Sequence, residues 1–408
     1  MSTPSAKPDI HYQIESAQTL ASRFYTDPTI LDREKSGIFR RTWQLVGTLS
    51  QQCGAHRTIS DPETFFIADV VGEPVVIVRD KQGTLRAFSN VCRHRAGPIA
   101  QGCGSKNVLR CAYHGWTYTL DGRLIGTPDI DGVEFFDRST MGMVPLRCET
   151  WEQFIFVNFD QTAEPLSAFL GRIPEEASGF PFASLEFVER RDYLIDCNWK
   201  VYVDNYLEGH HIPIAHPGLM REIDYTQYRI ETFRYFSQQF APLRATRAAD
   251  ELEEKGADRV YATGAGTLKE ALYFWVFPNL MLNIYPDNIS TNLIVPLSHD
   301  KTLTIFEWFF HRRSDARDGH SERTEESGRP DRPQERVTQR SPLPPALSDR
   351  IHRAVAFSDE VQQEDIALCQ AVQRGLQSST YDRGRYSPKR ENGVHHFHRL
   401  LSEFLARP

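Results

Sequence analysis

The stretch Cys92–His114, which reads C-R-H-R-A-G and then R-C-A-Y-H-G-W, constrains this chain more than any other. Cys92 and His94 form a C-x-H pair. Cys111 and His114 form a C-x-x-H pair, with sixteen residues between His94 and Cys111. Two thiolates and two imidazoles at this spacing suit a two-iron, two-sulfide cluster in which His replaces Cys on one iron. Neutral imidazoles leave less negative charge on such a cluster than four thiolates would, so it accepts an electron at a higher potential. Gly97, Gly102, Gly104 and Gly115 fit two tight ligand loops whose backbone N–H groups approach the sulfurs. Structural zinc uses the same ligand types, but zinc fingers group like ligands, C-x-x-C before H-x₃₋₅-H. Here each pair is mixed, which favours iron–sulfur.

The rest of the composition narrows the surroundings. The formal charge is −7, which argues for neither nucleic acid nor an anionic membrane as partner. No apolar run approaches the length of a membrane span, and the N-terminus MSTPSAKPDIHYQ lacks the apolar core of a signal peptide. Cys53, Cys103, Cys148, Cys197 and Cys369 show no pairing pattern, so reduced thiols in a cytoplasmic protein are expected. Cys103 lies between the ligand pairs and reads as a bystander.

The length, 408 residues, allows two or three domains. Residues 1–40 carry helical signals, one from Ser16 through Arg23 and one over Asp32–Arg41, and read as a segment packing on the second domain. Residues 41–160 are rich in β-branched and aromatic residues, with hairpin turns at Asp80–Gly83 and Leu120–Arg123. They predict a small all-β domain carrying the cluster at one tip. Residues 161–408 predict a catalytic domain in which an antiparallel sheet is flanked by helices, so the whole chain is α+β. Its strands are expected at Glu186–Ile195, Ala271–Tyr285, Ser290–Pro296 and Thr302–His311. Its helices are expected at Asn198–Gly209, Ser348–Ser378 and Gly393–Leu405. Residues 312–345 hold almost no large apolar side chain and predict a mobile insertion.

A second constellation runs from Asp204 to Pro217, D-N-Y-L-E-G-H-H-I-P-I-A-H-P. Two His and one carboxylate form the facial triad of non-haem Fe(II) oxygenases, which leaves positions open for O₂. His216 is one imidazole. His210 and His211 compete for the other, because neighbours on a helix point about 100° apart. Pro213 is expected to break the helix between His211 and His216 and swing His216 back. The acid must come from elsewhere, and Asp359, Glu360, Glu364 and Asp365 on the long C-terminal helix are all candidates.

With both motifs in one chain, the sequence resembles the α subunit of a Rieske non-haem iron oxygenase, the aromatic-ring-hydroxylating dioxygenase family, over nearly its whole length. C-R-H-R…C-A-Y-H-G-W-x-Y-x-L-D-G resembles that family's cluster signature, with Ala112 where Pro is common. N-Y-L-E-G-H-H-I-P-I-A-H resembles its iron motif. The resemblance assigns Cys92, His94, Cys111 and His114 to a 2Fe–2S cluster, and His211, His216 and Asp365 to a mononuclear Fe(II). It makes Glu208 the carboxylate joining His211 to His114 of a neighbouring subunit, and so the relay for electrons in a ring-shaped homotrimer. It also implies an NAD(P)H-dependent flavin or iron–sulfur reductase as partner, with O₂ and a small molecule as substrates. Glu at position 208, together with FPNLMLNIYPDNISTNLIVPL, VQRGLQSSTYDRGRYSP and GVHHFHRLL, is similar to choline monooxygenase and its relatives acting on glycine betaine, carnitine or stachydrine. Hydroxylation or N-demethylation of a quaternary ammonium compound is therefore expected. The alternative is a ring-hydroxylating dioxygenase component acting on an aromatic acid. Phe274, Trp275, Phe277, Tyr285, Trp308 and Phe309 are the aromatics available to a cationic head. Strand alternation puts Trp275, Phe277 and Tyr285 on one face if Pro278 leaves the register intact.

Overall fold

The computed structural model describes residues 7–243, 270–311 and 345–407. The insertion expected at 312–345 falls, but for Pro345, outside them.

The N-terminal half is built of short strands: Gln44–Thr48 (β1), Thr64–Val70 (β2), Glu73–Arg79 (β3), Leu85–Ser89 (β4), Cys103–Ser105 (β5), Val108–Arg110 (β6), Thr117–Thr119 (β7), Leu124–Gly126 (β8), Pro145–Trp151 (β9) and Phe154–Asn158 (β10). One antiparallel sheet runs β1-β10-β9-β4-β3-β2-β5, and a three-stranded sheet β6-β7-β8 stands beside it. β3 ties two cores together. Val75, Val76, Ile77 and Val78 are all fully buried, and alternate side chains leave opposite faces. Val75 and Ile77 join the main core, whereas Val76 and Val78 pack with Cys92, Cys111 and Trp116. Burying each such side chain is worth about 1.5–3 kcal/mol, so the ligand loops rest on a rigid strand.

The β3–β4 turn is held by one carboxylate. Asp80 accepts from the backbone N–H of Gln82 (3.0 Å) and Thr84 (2.8 Å) and from Arg86 Nε (2.8 Å). Burial works against its charge, but these donors outweigh it and hold its pKa below the usual carboxylate value. The native pKa is depressed, so the stabilisation is present above the unfolded pKa and lost as pH falls through the native one. Asp80→Asn is expected to cost roughly 1.5–3 kcal/mol at neutral pH. Urea melts repeated at falling pH should show the gap between the two proteins closing in the acid range.

The second antiparallel sheet runs β11-β17-β16-β15-β14-β13-β12. Its strands are Leu185–Ile195 (β11), Arg229–Thr232 (β12), Phe236–Pro242 (β13), Glu270–Val276 (β14), Leu280–Tyr285 (β15), Asn288–Ser298 (β16) and Lys301–His311 (β17). The expected single strand Ala271–Tyr285 is in fact the hairpin β14–β15. The chain reverses at Phe277–Asn279, where Phe277–Pro278 is cis, and Asn279 Nδ2 donates to Ile294 O at 2.7 Å. Pro278 therefore does break the register.

The helices are Arg23–Thr26 (α1), Pro28–Gly37 (α2), Leu166–Leu170 (α3), Ile173–Glu176 (α4), Trp199–Tyr206 (α5), Ile212–Ala215 (α6), Leu219–Glu222 (α7), Pro345–Leu376 (α8) and Asn392–Ala406 (α9). Among the described residues, no helix is long and apolar enough to cross a membrane. The helix expected from Ser16 is absent, because that backbone pairs elsewhere. Gln18 bridges to Arg385, and the Thr19 and Ser22 N–H groups donate to Gly384 O (3.2 Å) and Asp382 O (2.9 Å). The N-terminal segment also grips α5. Glu34 on α2 accepts from Trp199 Nε1 (2.8 Å) and Lys200 Nζ (2.7 Å), and Glu34 and Lys200 are each 1% exposed.

Candidate metal centres and substrate cavity

The two cluster loops meet back to back. His94 and His114 have ring centroids 4.6 Å apart, and Trp116 stacks on His94 at 4.9 Å. Cys92 and Cys111 are both buried, and Tyr118 Oη lies 3.4 Å from Cys92 Sγ. A Cβ on Gly97 would sit 3.1 Å from Cys111 Sγ, so only Gly lets the first loop approach the second this closely. Two thiols face inward and two imidazoles sit together at the rim, the asymmetric set that a His₂Cys₂ two-iron cluster requires. The tip is open: Tyr113 is 57% exposed, and Arg95 lies over its ring at 5.6 Å. Cys103 is on β5, paired opposite Phe66 rather than among these ligands.

The second centre is assembled from α5, α6 and α8. Asn198 caps α5 by accepting from Lys200 N at 3.0 Å, and the helix buries Trp199, Val201 and Val203. It ends at Tyr206, well before Pro213. Pro213 instead occupies the first turn of the separate helix α6, whose single turn carries the chain from His211 to His216. The expected break is thus a helix start, the position that Pro's missing N–H tolerates best. Gly209 is needed between the two helices, since a Cβ there would meet the Tyr228 ring at 2.5 Å.

Ligand atoms of His211, His216 and Asp365 all lie within 4.8 Å of one another. Asp365 Oδ1 is 3.0 Å from His216 Nε2 and 3.6 Å from His211 Nε2. His210 is exposed. Each ring is held from behind at Nδ1, by Glu208 Oε1 at 2.5 Å for His211 and by Glu364 Oε2 at 2.6 Å for His216. A carboxylate that accepts the Nδ1 proton leaves Nε2 as the ligating lone pair. Both Nε2 atoms face the same aspartate oxygen, so the donor set fits a divalent iron. Burial lowers the His216 pKa, but hydrogen bonding and charge from Asp365 and Glu364 outweigh it and leave the pKa raised.

Glu364 was one of four candidates for the acidic ligand, and its contact places it behind the ring instead. Asp359 is taken by Tyr193 Oη at 2.6 Å. Choosing between Glu364 and Asp365 needs the helix phase relative to α5, which spacing alone does not supply. Glu364→Gln is expected to weaken iron binding by about 10–100-fold. Competition titration with a chelator would read this, and an unchanged affinity would show that Glu364 is idle.

A cavity of about 120 Å³ adjoins the triad. Its floor is one face of the second sheet, where Asn283, Tyr285, Ser290 and Asn292 come together. Asn283 accepts from Tyr206 Oη at 2.8 Å and donates to Ser290 Oγ at 3.0 Å. The walls are aromatic: Tyr206, Tyr228, Tyr273 and Phe306. Of the aromatics nominated from sequence, only Tyr285 lines this cavity. Phe274, Trp275, Phe277 and Phe309 lie in the main core, and Trp308 packs with Phe306 and Phe310. Strand alternation gives the face of each residue but not which stretch of that face α9 covers. Trp275 is covered by Phe397 of α9, with ring centroids 5.2 Å apart, while Tyr273 on the same strand is left to the cavity.

A store for single electrons and an iron with open positions serve one another in an oxygenase, and that is the class this fold and these centres define. The family model described as the ring hydroxylating alpha subunit (catalytic domain) matches residues 182–407, and the Rieske [2Fe-2S] domain model matches residues 51–137. Choline monooxygenase of Arabidopsis thaliana is 35% identical, over 96% of this chain and 84% of the relative. The carnitine monooxygenase oxygenase subunit of Acinetobacter baumannii is 29% identical, over 98% and 96%. Among solved structures, the quaternary ammonium Rieske monooxygenase CntA in complex with L-carnitine superposes with a TM-score of 0.73 at 27% identity, covering 96% of this chain and 97% of that one. Naphthalene 1,2-dioxygenase from Rhodococcus sp., at 18% identity and a TM-score of 0.69, shares the fold. The chain belongs to the Rieske non-haem iron oxygenases, with a Rieske 2Fe–2S cluster and a mononuclear iron as its cofactors.

Proposed function

We propose that this chain hydroxylates or N-demethylates a small quaternary ammonium compound of the choline, glycine betaine, carnitine or stachydrine type. The observation that carries this reading is the aromatic cavity against the triad. Tyr206, Tyr228, Tyr273 and Tyr285 line it, and a ring face presented to a cation contributes about 0.5–2 kcal/mol. The names of the relatives point the same way. Its volume is near the ~150 Å³ that holds one benzene ring, which favours a compact substrate.

The geometry of the two centres and the likeness to the family's motifs support the following residue roles. Cys92, Cys111, His94 and His114 would hold the cluster, and His211, His216 and Asp365 the iron. When bound, that ion supplies open positions for O₂ and the redox chemistry of oxygen insertion. Glu208 and Glu364 hold the Nδ1 protons and fix both rings. Glu208 would also take an N–H from His114 of a neighbouring copy, coupling the centres across a homotrimer. Electrons would come from a separate NAD(P)H-dependent flavin or iron–sulfur reductase. An N-methyl carbon that gains oxygen gives a hemiaminal-type product that loses formaldehyde. A carbon already bearing hydroxyl gives an aldehyde hydrate.

A thermal-shift and turnover panel with a generic reductase tests the reading. A ligand at 100 times its Kd adds about 2.7 kcal/mol to the native state. Quaternary amines are expected to raise Tm and yield product carrying one labelled atom from ¹⁸O₂. A response to aromatic acids alone, with two labelled atoms, would replace this reading with a ring-hydroxylating dioxygenase.

A further inference from the structure

A second and larger cavity of about 340 Å³, here the rear cavity, adjoins Glu208 and His211 and is lined by apolar side chains, among them Leu20, Val201 and Leu376, as well as by polar ones. Both cavities are lined by Asn205, Glu208 and His211. The rear one also touches Tyr25, Asp204, Glu391 and His398. These polar groups are wired together. Asp204 accepts from Tyr25 Oη at 2.6 Å and from His398 Nε2 at 2.8 Å, and Tyr386 Oη lies 2.6 Å from His398 Nδ1. His398 is 1% exposed. A buried imidazole needs a partner at each nitrogen, and this one has both, a tyrosine and a carboxylate. The binding of neither metal uses it.

Monooxygenation gives this arrangement a task. A substrate C–H bond and the O–O bond break, one oxygen enters the substrate, and the other leaves as water. The sum is R–H, O₂, two electrons and two protons going to R–OH and H₂O. The electrons come from the external reductase through the cluster, and the two protons per turnover come in the end from solvent, so a path for them must reach the iron.

We propose that the rear cavity is the water-filled route for those protons, with Asp204 and His398 as the relaying pair on its wall. In one concerted shift Tyr386 Oη gives its proton to His398 Nδ1 and takes another from water, Nε2 releases its own to Asp204, and the Asp204 carboxyl passes it to cavity water beside Glu208. Tyr25 on α1, Tyr386 and Tyr381 before α9, Glu391 at the start of α9 and Lys200 one turn back on α5 are the titratable groups around the pair. Asp204 and His398 act through cavity water and not on substrate, so their role is positioning and relay. The proposal rests on the oxygenase activity of the family and not on the identity of the substrate.

The test compares Asp204→Asn, His398→Gln and Val372→Trp in the metal-loaded protein. Val372 is 51% exposed and lines the same cavity, so a Trp there narrows the route without entering the core and keeps the test open if the buried variants fold poorly. Iron, sulfide and the substrate-induced Tm shift should stay as in the parent. Turnover should fall about tenfold or more, with a larger solvent deuterium isotope effect and more O₂ released as peroxide. A crystal structure of the assembled protein should show ordered waters joining Asp204 to Glu208. Unchanged isotope effect and coupling in all three variants, or a rear cavity filled by apolar side chains of a neighbouring copy, would overturn the proposal. A parent that consumes no O₂ with any quaternary amine speaks against the proposed substrate class, while the water file is still there to be seen or missed.

Discussion

With iron in excess, so that both metal centres stay loaded, Glu208→Gln is expected to cut turnover by about 10–100-fold. The carboxylate does two jobs at once. Oε1 takes the Nδ1 proton of His211 at 2.5 Å, while Oε2 accepts the backbone N–H groups of His210 and His211, the latter at 3.2 Å. Glutamine has one acceptor oxygen, and its NH₂ would face N–H donors. The amide must satisfy either the ring or the turn, so His211 loses its anchor or the loop loses its cap. An amide also has no second acceptor for an imidazole from another copy. Both cysteine–histidine loops lie elsewhere in the chain, so sulfide and cluster absorbance should be unchanged. Rapid mixing of pre-reduced protein with O₂ should show cluster reoxidation slowed along with steady-state turnover. Full turnover in this variant would remove Glu208 as the link between the centres.

Glu34→Gln is expected to destabilise the fold by about 3–5 kcal/mol, the range for stranding one half of a buried ion pair. Lys200 has almost no contact with water, and Glu34 Oε1 lies 2.7 Å from its ammonium. The glutamine could keep the Trp199 Nε1 bond but not the charge. Burial already holds the Lys200 pKa below the ordinary lysine value, with Glu34 opposing that effect. Unfolding therefore takes up a proton in the window beneath the ordinary value, and stability rises with pH there. The variant, lacking the opposing carboxylate, should recover part of its deficit as pH is raised through that window. Replacing both partners, Glu34→Leu with Lys200→Met, should be near neutral or stabilising. Denaturant melts of the three proteins would check this, and a single variant as stable as the parent would show the pair to be dispensable.

The two predictions differ in how visible their residues were in the sequence. Glu208 sits in a local motif, three residues from His211, and its meaning is carried by spacing. Glu34 and Lys200 are more than 160 residues apart, and each reads as an ordinary exposed helix charge. Glu364 and Asp365 are neighbours on α8, and only the rotation of that helix against α5 decides which faces the metal and which backs His216. The single strand expected over Ala271–Tyr285 failed for a related reason. Its β-branched and aromatic run is continuous, and the reversal at Pro278 is fixed by contacts to Tyr235, in the turn before β13, and to Ile294 on β16.

What the sequence determined by itself was the class of chemistry, because Cys92, His94, Cys111, His114, His211 and His216 sit on short segments whose spacing limits what they could bind. The tertiary structure alone decided which stretch of one face of the second sheet α9 leaves uncovered, which carboxylate backs His216, and that a second cavity meets the first at Glu208. Those features arise where elements far apart in the chain pack together, and packing depends on the shapes of both surfaces, which no local pattern records.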